Sequence, residues 1–205
     1  MVTKPTGTPE DNSTRRDFLA AAGAGTLGAA LAAAVPANSH QAVADEQPTT
    51  NPHGDEAMLK GKLIQPEILE ALGRAGHGSK ILIADGNYPF STKLGPKAKL
   101  VSLNLSPGLV NCTQVLEALV TAMPIEAAGV MQYTTTGPYA LSKEPGIWNE
   151  FRTVLNGSGY DFQLEKIERF AFYEQAGSPD VALTIATGEQ RIFANLLLTT
   201  GVVME

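Results

Sequence analysis

A histidine and an aspartate stand close together in the sequence, and their types suit acid–base chemistry. His77 lies between Gly76 and Gly78, and Asp85 directly follows the apolar residues 81–84. Imidazole titrates near neutral pH, so one histidine can both accept and donate a proton during a reaction. The sequence has 3 histidines, and the other two fall in segments that we expect to be a signal and a linker. His77 is therefore the histidine that a folded domain can use.

Both residues also have ordinary structural explanations. A loop histidine between glycines is commonly just solvated, and an aspartate in Asp-Gly-Asn commonly bonds the backbone of its own turn. In an α/β sheet, the corner before a strand lies at the opposite edge from the end of that strand. Local geometry therefore does not bring His77 to Asp85, and another chain would have to bring the two together.

Two later segments carry further candidate ligands. Residues 163–173 alternate in the manner of a strand, which predicts Arg169 and Tyr173 on one face. Arginine beside tyrosine suits the binding of hydroxyl or carboxylate groups, although an ordinary salt-bridged strand has the same pattern. Asn195 stands at an apolar run shortly after Phe193. A buried asparagine needs hydrogen bonds, which either the protein or a ligand can supply.

Composition excludes several classes of function. The formal net charge is -6 and the domain has no basic cluster, which argues against nucleic acid as a partner. Cys112 is the single cysteine, so neither an internal disulfide nor a cysteine-based metal site is expected. The sequence also lacks a glycine-rich phosphate loop, a His-x-x-x-His pair and a Gly-x-Ser-x-Gly elbow. Nucleotide chemistry, zinc hydrolysis and serine hydrolysis are disfavoured accordingly.

The elements that must position these side chains alternate between helix and strand. Capping residues and helical spacing predict helices that begin at Pro66, at the Asn111/Gln114 pair and at Pro145. Gly76 is predicted to end the first helix in a left-handed conformation. Apolar or alternating runs predict strands at residues 81–84, 99–105, 129–134, 163–173 and 181–186. This order predicts a single α/β domain with layered helices around a mostly buried sheet.

The N-terminal part of the sequence predicts export. Arg15 and Arg16 precede Phe18-Leu19 and an Ala/Gly-rich run, a pattern typical of a twin-arginine signal. A membrane anchor is the alternative, but alanine and glycine gain little from lipid. Cleavage after the small residues that end at Ala44 would leave no stable membrane anchor. The expected division is a signal peptide at 1–44, a disordered polar linker at 45–57 and a folded domain at 58–205 of a periplasmic protein.

Several motifs recur together in one known family. They are Gly76-His77-Gly78, Asp85-Gly86-Asn87-Tyr88-Pro89, Arg169-Phe170-Ala171-Phe172-Tyr173-Glu174, Thr187-Gly188-Glu189, Ala194-Asn195-Leu196-Leu197-Leu198 and Gly201-Val202. In this order and at this spacing, residues 58–204 resemble the RbsD/FucU family of D-ribose pyranases and L-fucose mutarotases. Each motif is weak alone, whereas the set is specific. The Arg-Phe-Ala-Phe-Tyr-Glu segment is more similar to the fucose mutarotase branch.

The resemblance implies a site and an activity. It implies that His77 is the acid–base catalyst and that Asp85, Arg169 and Asn195 contact a monosaccharide, with Phe193 closing the pocket. It implies no metal or organic cofactor. It also implies a ring-shaped homo-oligomer with pockets at the subunit interfaces, which would explain how a corner histidine reaches the aspartate.

Two departures from the family leave a second hypothesis open. Phe193 has no hydroxyl where the family has tyrosine, and the familiar members work in the cytoplasm. We expect an exported mutarotase that interconverts the anomers of L-fucose or a related sugar by acid–base ring opening and closure. The alternative is a non-catalytic periplasmic sugar-binding or sensing protein on the same scaffold.

Overall fold

A mixed sheet of 6 strands organises residues 59–204, the part of the chain that this computed structural model describes. The helices are α1 (Pro66–Arg74), α2 (Cys112–Leu119), α3 (Ile147–Gly157) and α4 (Arg169–Ala176). The strands are β1 (Lys80–Ala84), β2 (Lys99–Ser102), β3 (Ile125–Met131), β4 (Glu165–Ile167), β5 (Val181–Ala186) and β6 (Leu196–Thr200). The predicted signal and linker at 1–44 and 45–57 lie outside the described residues.

The strands follow the order β2-β5-β1-β6-β3-β4. Strand β6 runs antiparallel to both of its neighbours, whereas the other pairs are parallel. Strands β1 and β3 therefore point the same way, and their carboxyl ends meet the amino end of β6 at one edge of the sheet. Within residues 59–204, no helix is long and apolar enough to cross a membrane.

The predicted helix starts at Pro66 and Asn111 are confirmed. Pro66 opens α1, and the Gln65 side chain accepts a hydrogen bond of 2.6 Å from the Ile68 N–H. Asn111 and Gln114 form a full capping box at the start of α2, because each side chain accepts from the other residue's backbone N–H. These side chains satisfy N–H groups that lack a partner within the helix, which fixes where each helix begins.

The strand predicted at residues 163–173 is wrong beyond Ile167. The Glu168 side chain accepts hydrogen bonds from the N–H groups of Phe170 and Ala171, at 2.8 and 3.1 Å, and α4 begins at Arg169. A helix cap thus overrides the alternating pattern. Arg169 and Tyr173 still share a side of α4, since residues four apart are neighbours on a helix.

Smaller differences concern the boundaries of other elements. Gly76 is not left-handed; Gly78 has the positive φ, at 78°, and α1 ends earlier in an extended Ala75. Helix α3 begins after Gly146 rather than at Pro145, β2 is shorter than predicted, and β3 lies earlier in the sequence. The apolar run after Asn195, which was assigned to no element, forms β6 in the middle of the sheet.

Hydrophobic side chains cover both faces of the sheet. Ile81 and Ile83 of β1 face a large core built with α1, α2 and α3, whereas Leu82 and Ala84 face a smaller cluster beneath α4. This alternation follows the period of two along a strand. The mostly buried sheet of the predicted α/β fold is thus confirmed, and the smaller cluster leaves room beside α4 for a cavity.

Candidate functional site

A cavity of about 890 Å³ opens where β1 and β3 end and β6 begins. Asp85 enters it from the end of β1, Arg169 and Tyr173 from α4, and Phe193 and Asn195 from the segment before β6. Every side chain that the sequence analysis assigned to a site, except His77, therefore lies around one space. That space is large enough for a monosaccharide.

Asp85 and Asn195 hold each other in place at the floor of the cavity. The Asp85 N–H donates to Asn195 Oδ1 at 2.9 Å, and Asn195 Nδ2 donates to Asp85 Oδ2 at 3.0 Å. Both residues are buried. The hydrogen bonds that a buried Asn195 needs thus come from the protein, and its amide fixes the orientation of the carboxylate.

The Asp85 carboxyl is poised to exchange a proton. Burial raises the pKa of Asp85 from 3.8 to about 6, although hydrogen bonds from the N–H groups of Asn87 and Ala194 act in the opposite direction. Those bonds measure 3.0 Å to Oδ1 and 3.2 Å to Oδ2. The carboxylate oxygen Oδ1, which accepts from the Asn87 N–H, keeps a lone pair for a ligand.

A second buried carboxylate lies behind Asp85. Glu189 is buried and receives two hydrogen bonds from the Arg191 guanidinium, at 2.9 Å from Nε and 2.8 Å from Nη2. Its charge also contributes to the raised pKa of Asp85, after burial. Arg191 compensates the Glu189 charge, whereas Asp85 and Glu168, the two carboxylates that line the cavity, form no ion pair among the described residues.

Phe193 adopts a backbone conformation that is unusual for its type. Its φ is 59°, the left-handed region that residues with bulky side chains rarely occupy. Its carbonyl accepts a hydrogen bond of 2.9 Å from Trp148 Nε1, and the next N–H, of Ala194, donates to Asp85. These two bonds hold the strained turn and keep the Phe193 ring at the cavity wall.

Arg169 brings an uncompensated positive charge to the cavity. It is exposed, and no carboxylate within residues 59–204 forms an ion pair with it. Its guanidinium lies 6.0 Å from the centre of the Tyr173 ring, a cation–π distance. The salt-bridged alternative is therefore not found in the described residues, and the guanidinium N–H groups are available for ligand hydroxyls.

Polar residues that the sequence did not predict complete the lining of the cavity. Gln132, Tyr133 and residues 134–136 line the cavity, followed by Pro138 and Tyr139. The signal in the sequence was the run of hydroxyl-bearing residues that begins at Tyr133, at the end of a predicted strand. Carboxyl ends of strands commonly carry binding residues.

His77 lies at the other edge of the sheet. Its Nε2 is 2.8 Å from Glu126 Oε2, and both side chains are largely exposed. Strand β1, of 5 residues, separates this corner from Asp85 by about 17 Å. A second cavity of about 610 Å³ adjoins His77, between α1 and the residues that follow β6, including Val202 and Val203.

The pairing of His77 with Glu126 joins residues 49 positions apart. Glu126 is not among the residues predicted for a site, and no local pattern in the sequence points to it. Among residues 59–204, no group of histidine, cysteine, aspartate and glutamate side chains is arranged to hold a metal ion.

Comparisons with known proteins show which family the chain resembles. The model of the RbsD / FucU transport protein family matches residues 58–203. Fucose mutarotase from Homo sapiens is 35% identical over 153 residues, which cover 70% of this chain and 94% of that protein.

Two solved structures are also similar. Fucose mutarotase from Streptococcus pneumoniae, in complex with L-fucose, has a TM-score of 0.59 at 28% identity, over 69% of this chain and 95% of that one. FucU from Bifidobacterium longum has a TM-score of 0.56 at 33% identity, over 69% of this chain and 96% of that one.

Proposed function

We propose, from the premise that this chain belongs to the RbsD/FucU family, that it is a cofactor-independent monosaccharide mutarotase. Its substrate is L-fucose or a related sugar, whose anomers it interconverts. The observation that carries this proposal is the sugar-sized cavity that joins a buried carboxylate to a free guanidinium and aromatic walls. Fucose mutarotases are among the similar proteins, one of them in complex with L-fucose.

The reaction needs two proton transfers. As the ring opens, a base takes the proton from the anomeric hydroxyl, the bond between C1 and the ring oxygen breaks, and an acid protonates that oxygen. The aldehyde then turns about its bond to C2, and closure on the other face reverses both transfers. Groups with a pKa near the working pH perform such steps best, which suits an imidazole and the Asp85 carboxyl, whose pKa is raised to about 6.

Each side chain has a separate task in this proposal. His77 exchanges one of the two protons with the sugar, Asp85 exchanges the other with the sugar hydroxyl that it contacts, and Asn195 keeps that carboxylate in position. The Arg169 guanidinium donates to neighbouring hydroxyls. Phe193 offers an aromatic face on which the apolar side of the sugar packs.

A neighbouring copy of the chain has to supply His77. The His77–Glu126 pair and the Asp85 cavity lie at opposite edges of one sheet, so each subunit carries half of two different sites. Glu126, 2.8 Å from Nε2, would orient the imidazole and leave Nδ1 for the sugar. Contacts between unlike edges form a ring where the rotation between subunits closes, and exposed Val202 and Val203 near His77 add apolar surface for such a contact.

Anomer exchange measured by NMR tests the proposed activity. Saturating the signal of one anomer should reduce that of the other faster with the protein than without it, for L-fucose or another member of a monosaccharide panel. Replacement of His77 by alanine should abolish the acceleration and leave sugar binding in place.

The same panel separates the enzyme from the sugar-binding or sensing alternative. Measurable binding without acceleration of any sugar would sink the mutarotase proposal and favour the alternative. Unchanged exchange in the His77→Ala variant would overturn the mechanism while the activity stands. A full panel is needed rather than L-fucose alone, because Phe193 lacks the hydroxyl of the family's tyrosine and the preferred sugar can differ accordingly.

We further propose that residues 1–44 direct export through the twin-arginine route and that residues 45–57 link the signal to the domain. The support is the sequence pattern that begins at Arg15 and Arg16. Residues 1–57 fused to a reporter should reach the periplasm, and replacing both arginines by lysine should stop it. A reporter that is exported equally well without the arginine pair would contradict the proposal.

A further inference from the structure

We propose that Tyr133 positions the substrate by a hydrogen bond between its hydroxyl and one sugar hydroxyl. This inference rests on the proposed mutarotase function and deepens it, because it names a residue that determines substrate specificity. Tyr133 lies on the same side of the cavity as Phe193. The sequence pattern did not assign Tyr133 to the site, and its ring lines the cavity.

Sheet order places Tyr133 beside the other substrate-binding groups. It follows β3, which pairs with β6, which in turn pairs with β1. Asp85 follows β1 and Asn195 precedes the antiparallel β6. The three residues therefore come from adjacent strands at one edge of the sheet, and a single small molecule can reach all of them.

Packing against Trp148 fixes the Tyr133 ring. The two rings meet edge to face, with centres 5.7 Å apart and planes at 68°, and Trp148 is fully buried. The same indole donates its Nε1–H to the Phe193 carbonyl. Trp148 thus holds both Tyr133 and Phe193 in place. Because the half-buried Tyr133 ring is already fixed, it loses little conformational freedom when a sugar binds.

The Tyr133 hydroxyl has no hydrogen-bond partner among the described residues. By contrast, the hydroxyls of Tyr88 and Tyr160 donate to the carbonyls of Lys93 and Met123, each at 3.2 Å. Within residues 59–204, the buried polar side-chain atoms that lack a partner do not include the Tyr133 oxygen, so this unpaired oxygen is not buried. It is therefore open to the cavity and able to donate and accept.

Tyr133 differs from the other tyrosines that reach the cavity. Tyr139 is 65% exposed on an irregular segment, and the Tyr173 ring is engaged by the cations of Arg169 and Lys93, each 6.0 Å away. Phe193 contributes no polar atom from its side chain. A sugar hydroxyl on that side of the cavity meets Tyr133, which shares the Trp148 contact with Phe193.

The conservative replacement Tyr133→Phe keeps the ring and its contact with Trp148 and removes one oxygen. We expect kcat/KM for anomer exchange to fall about tenfold, the effect of one lost neutral hydrogen bond, with Tm unchanged. Tyr160→Phe removes a hydroxyl that bonds to backbone away from the cavity, and this control should exchange sugars like the parent protein.

Monodeoxy analogues of the best substrate locate the partner of the hydroxyl. For the one analogue that lacks the bonded sugar hydroxyl, Tyr133→Phe and the parent protein should have equal kcat/KM, whereas the other analogues keep the tenfold difference. A merely structural role would lower kcat/KM for every analogue alike, and that result would overturn the proposal.

Sugar binding distinguishes failure of this inference from failure of the proposed function. Trp148 is the single tryptophan of the chain and contacts Tyr133, so its fluorescence can follow a sugar titration. Exchange by the parent protein with no change in kcat/KM or Kd in Tyr133→Phe would overturn the role of Tyr133 alone. Binding that weakens about tenfold in Tyr133→Phe, without exchange by the parent protein, would support Tyr133 and refute the mutarotase function. Absence of both binding and exchange would overturn both.

Discussion

At the scale of single residues, Asp85 combines burial with hydrogen bonds that favour opposite charge states. Removing a carboxylate from water favours the neutral acid, whereas the N–H donors of Asn87 and Ala194 favour the anion. Burial prevails and raises the pKa to about 6. The group can therefore change its protonation state within the range in which enzymes commonly work, and it does so at a fixed position.

This raised pKa predicts how stability depends on pH. The pKa of Asp85 rises from 3.8 to about 6 on folding, so between these values the folded protein binds a proton that the unfolded chain has released. The contribution of Asp85 to the free energy of unfolding is full below pH 3.8 and is lost as pH rises through about 6. Urea unfolding at a series of pH values should show this decline in the parent protein.

Asp85→Asn is the matched variant for this measurement. It keeps the shape of the side chain and cannot titrate, although its amide nitrogen removes the acceptor either of the Asn87 N–H or of the Ala194 and Asn195 donors, which share Oδ2. Its stability should vary less between pH 4 and 6 than that of the parent protein, in the window set by the cited pKa values. Identical pH dependence in the two proteins would mean that Asp85 does not titrate in this range.

The sequence indicates which residues belong to the site, but it does not indicate which of them are hydrogen-bonded to each other. The types and flanking patterns of Asp85, Arg169 and Asn195 make them candidates, and the family resemblance assigns them to one site. The structure places all three around one cavity. The bond between Asn195 and Asp85 joins positions 110 apart, and it depends on the register of β1 against β6. No local pattern encodes that register, so the mutual support of the two side chains was not predictable.

At the scale of elements, caps and close backbone contacts position the site more than helix or strand preference does. The Glu168 cap starts α4 at Arg169, where alternation predicted a strand. The segment after β5 is held just as closely, because the Gly188 N–H donates to the Val110 carbonyl at 2.8 Å and its own carbonyl accepts from Gly108. Hydrophobic periodicity in the sequence does not predict such side-chain caps or contacts between distant loops.

A side chain at Gly188 should disrupt this contact. A Cβ atom built there would overlap the backbone carbonyls of Ser106 and Leu109, which cannot swing away as a side chain can. Gly188→Ala should therefore lower the free energy of unfolding by about 3 kcal/mol, the upper part of the range for overpacking. Urea unfolding measures the loss, and reduced anomer exchange should accompany it because Glu189 follows directly.

Gly157→Ala is the control for that substitution. Gly157 is the last residue of α3, and nothing lies within 4 Å of a Cβ built there. Alanine is favoured over glycine in a helix, so stability should stay the same or rise by up to about 1 kcal/mol. Equal losses in the two variants would show that close packing at Gly188 is not the cause.

At the scale of the whole molecule, the proposed site is divided between the two edges of the sheet. The position of His77 in sequence suggested this division, since a corner before a strand and the end of that strand lie at opposite edges. The structure adds Glu126 to the His77 edge and Tyr133 to the Asp85 edge. Activity should consequently depend on assembly, and two inactive variants with changes at different edges should complement each other.

Mixing His77→Ala with Asp85→Ala subunits tests that dependence directly. Each variant alone should be inactive, because every interface lacks one of the two groups. After the two are unfolded together and refolded in equal amounts, about a quarter of the interfaces should join an intact His77 edge to an intact Asp85 edge, if contacts between unlike edges form at random. Anomer exchange should then recover to about a quarter of the parent rate.

Mixing Asp85→Ala with Arg169→Ala should restore no activity beyond that of the separate variants, since both changes lie at the same edge and no intact cavity can form. If neither mixture recovers activity although the assemblies contain both variants, a complete site lies within one subunit. His77 would then have to act elsewhere.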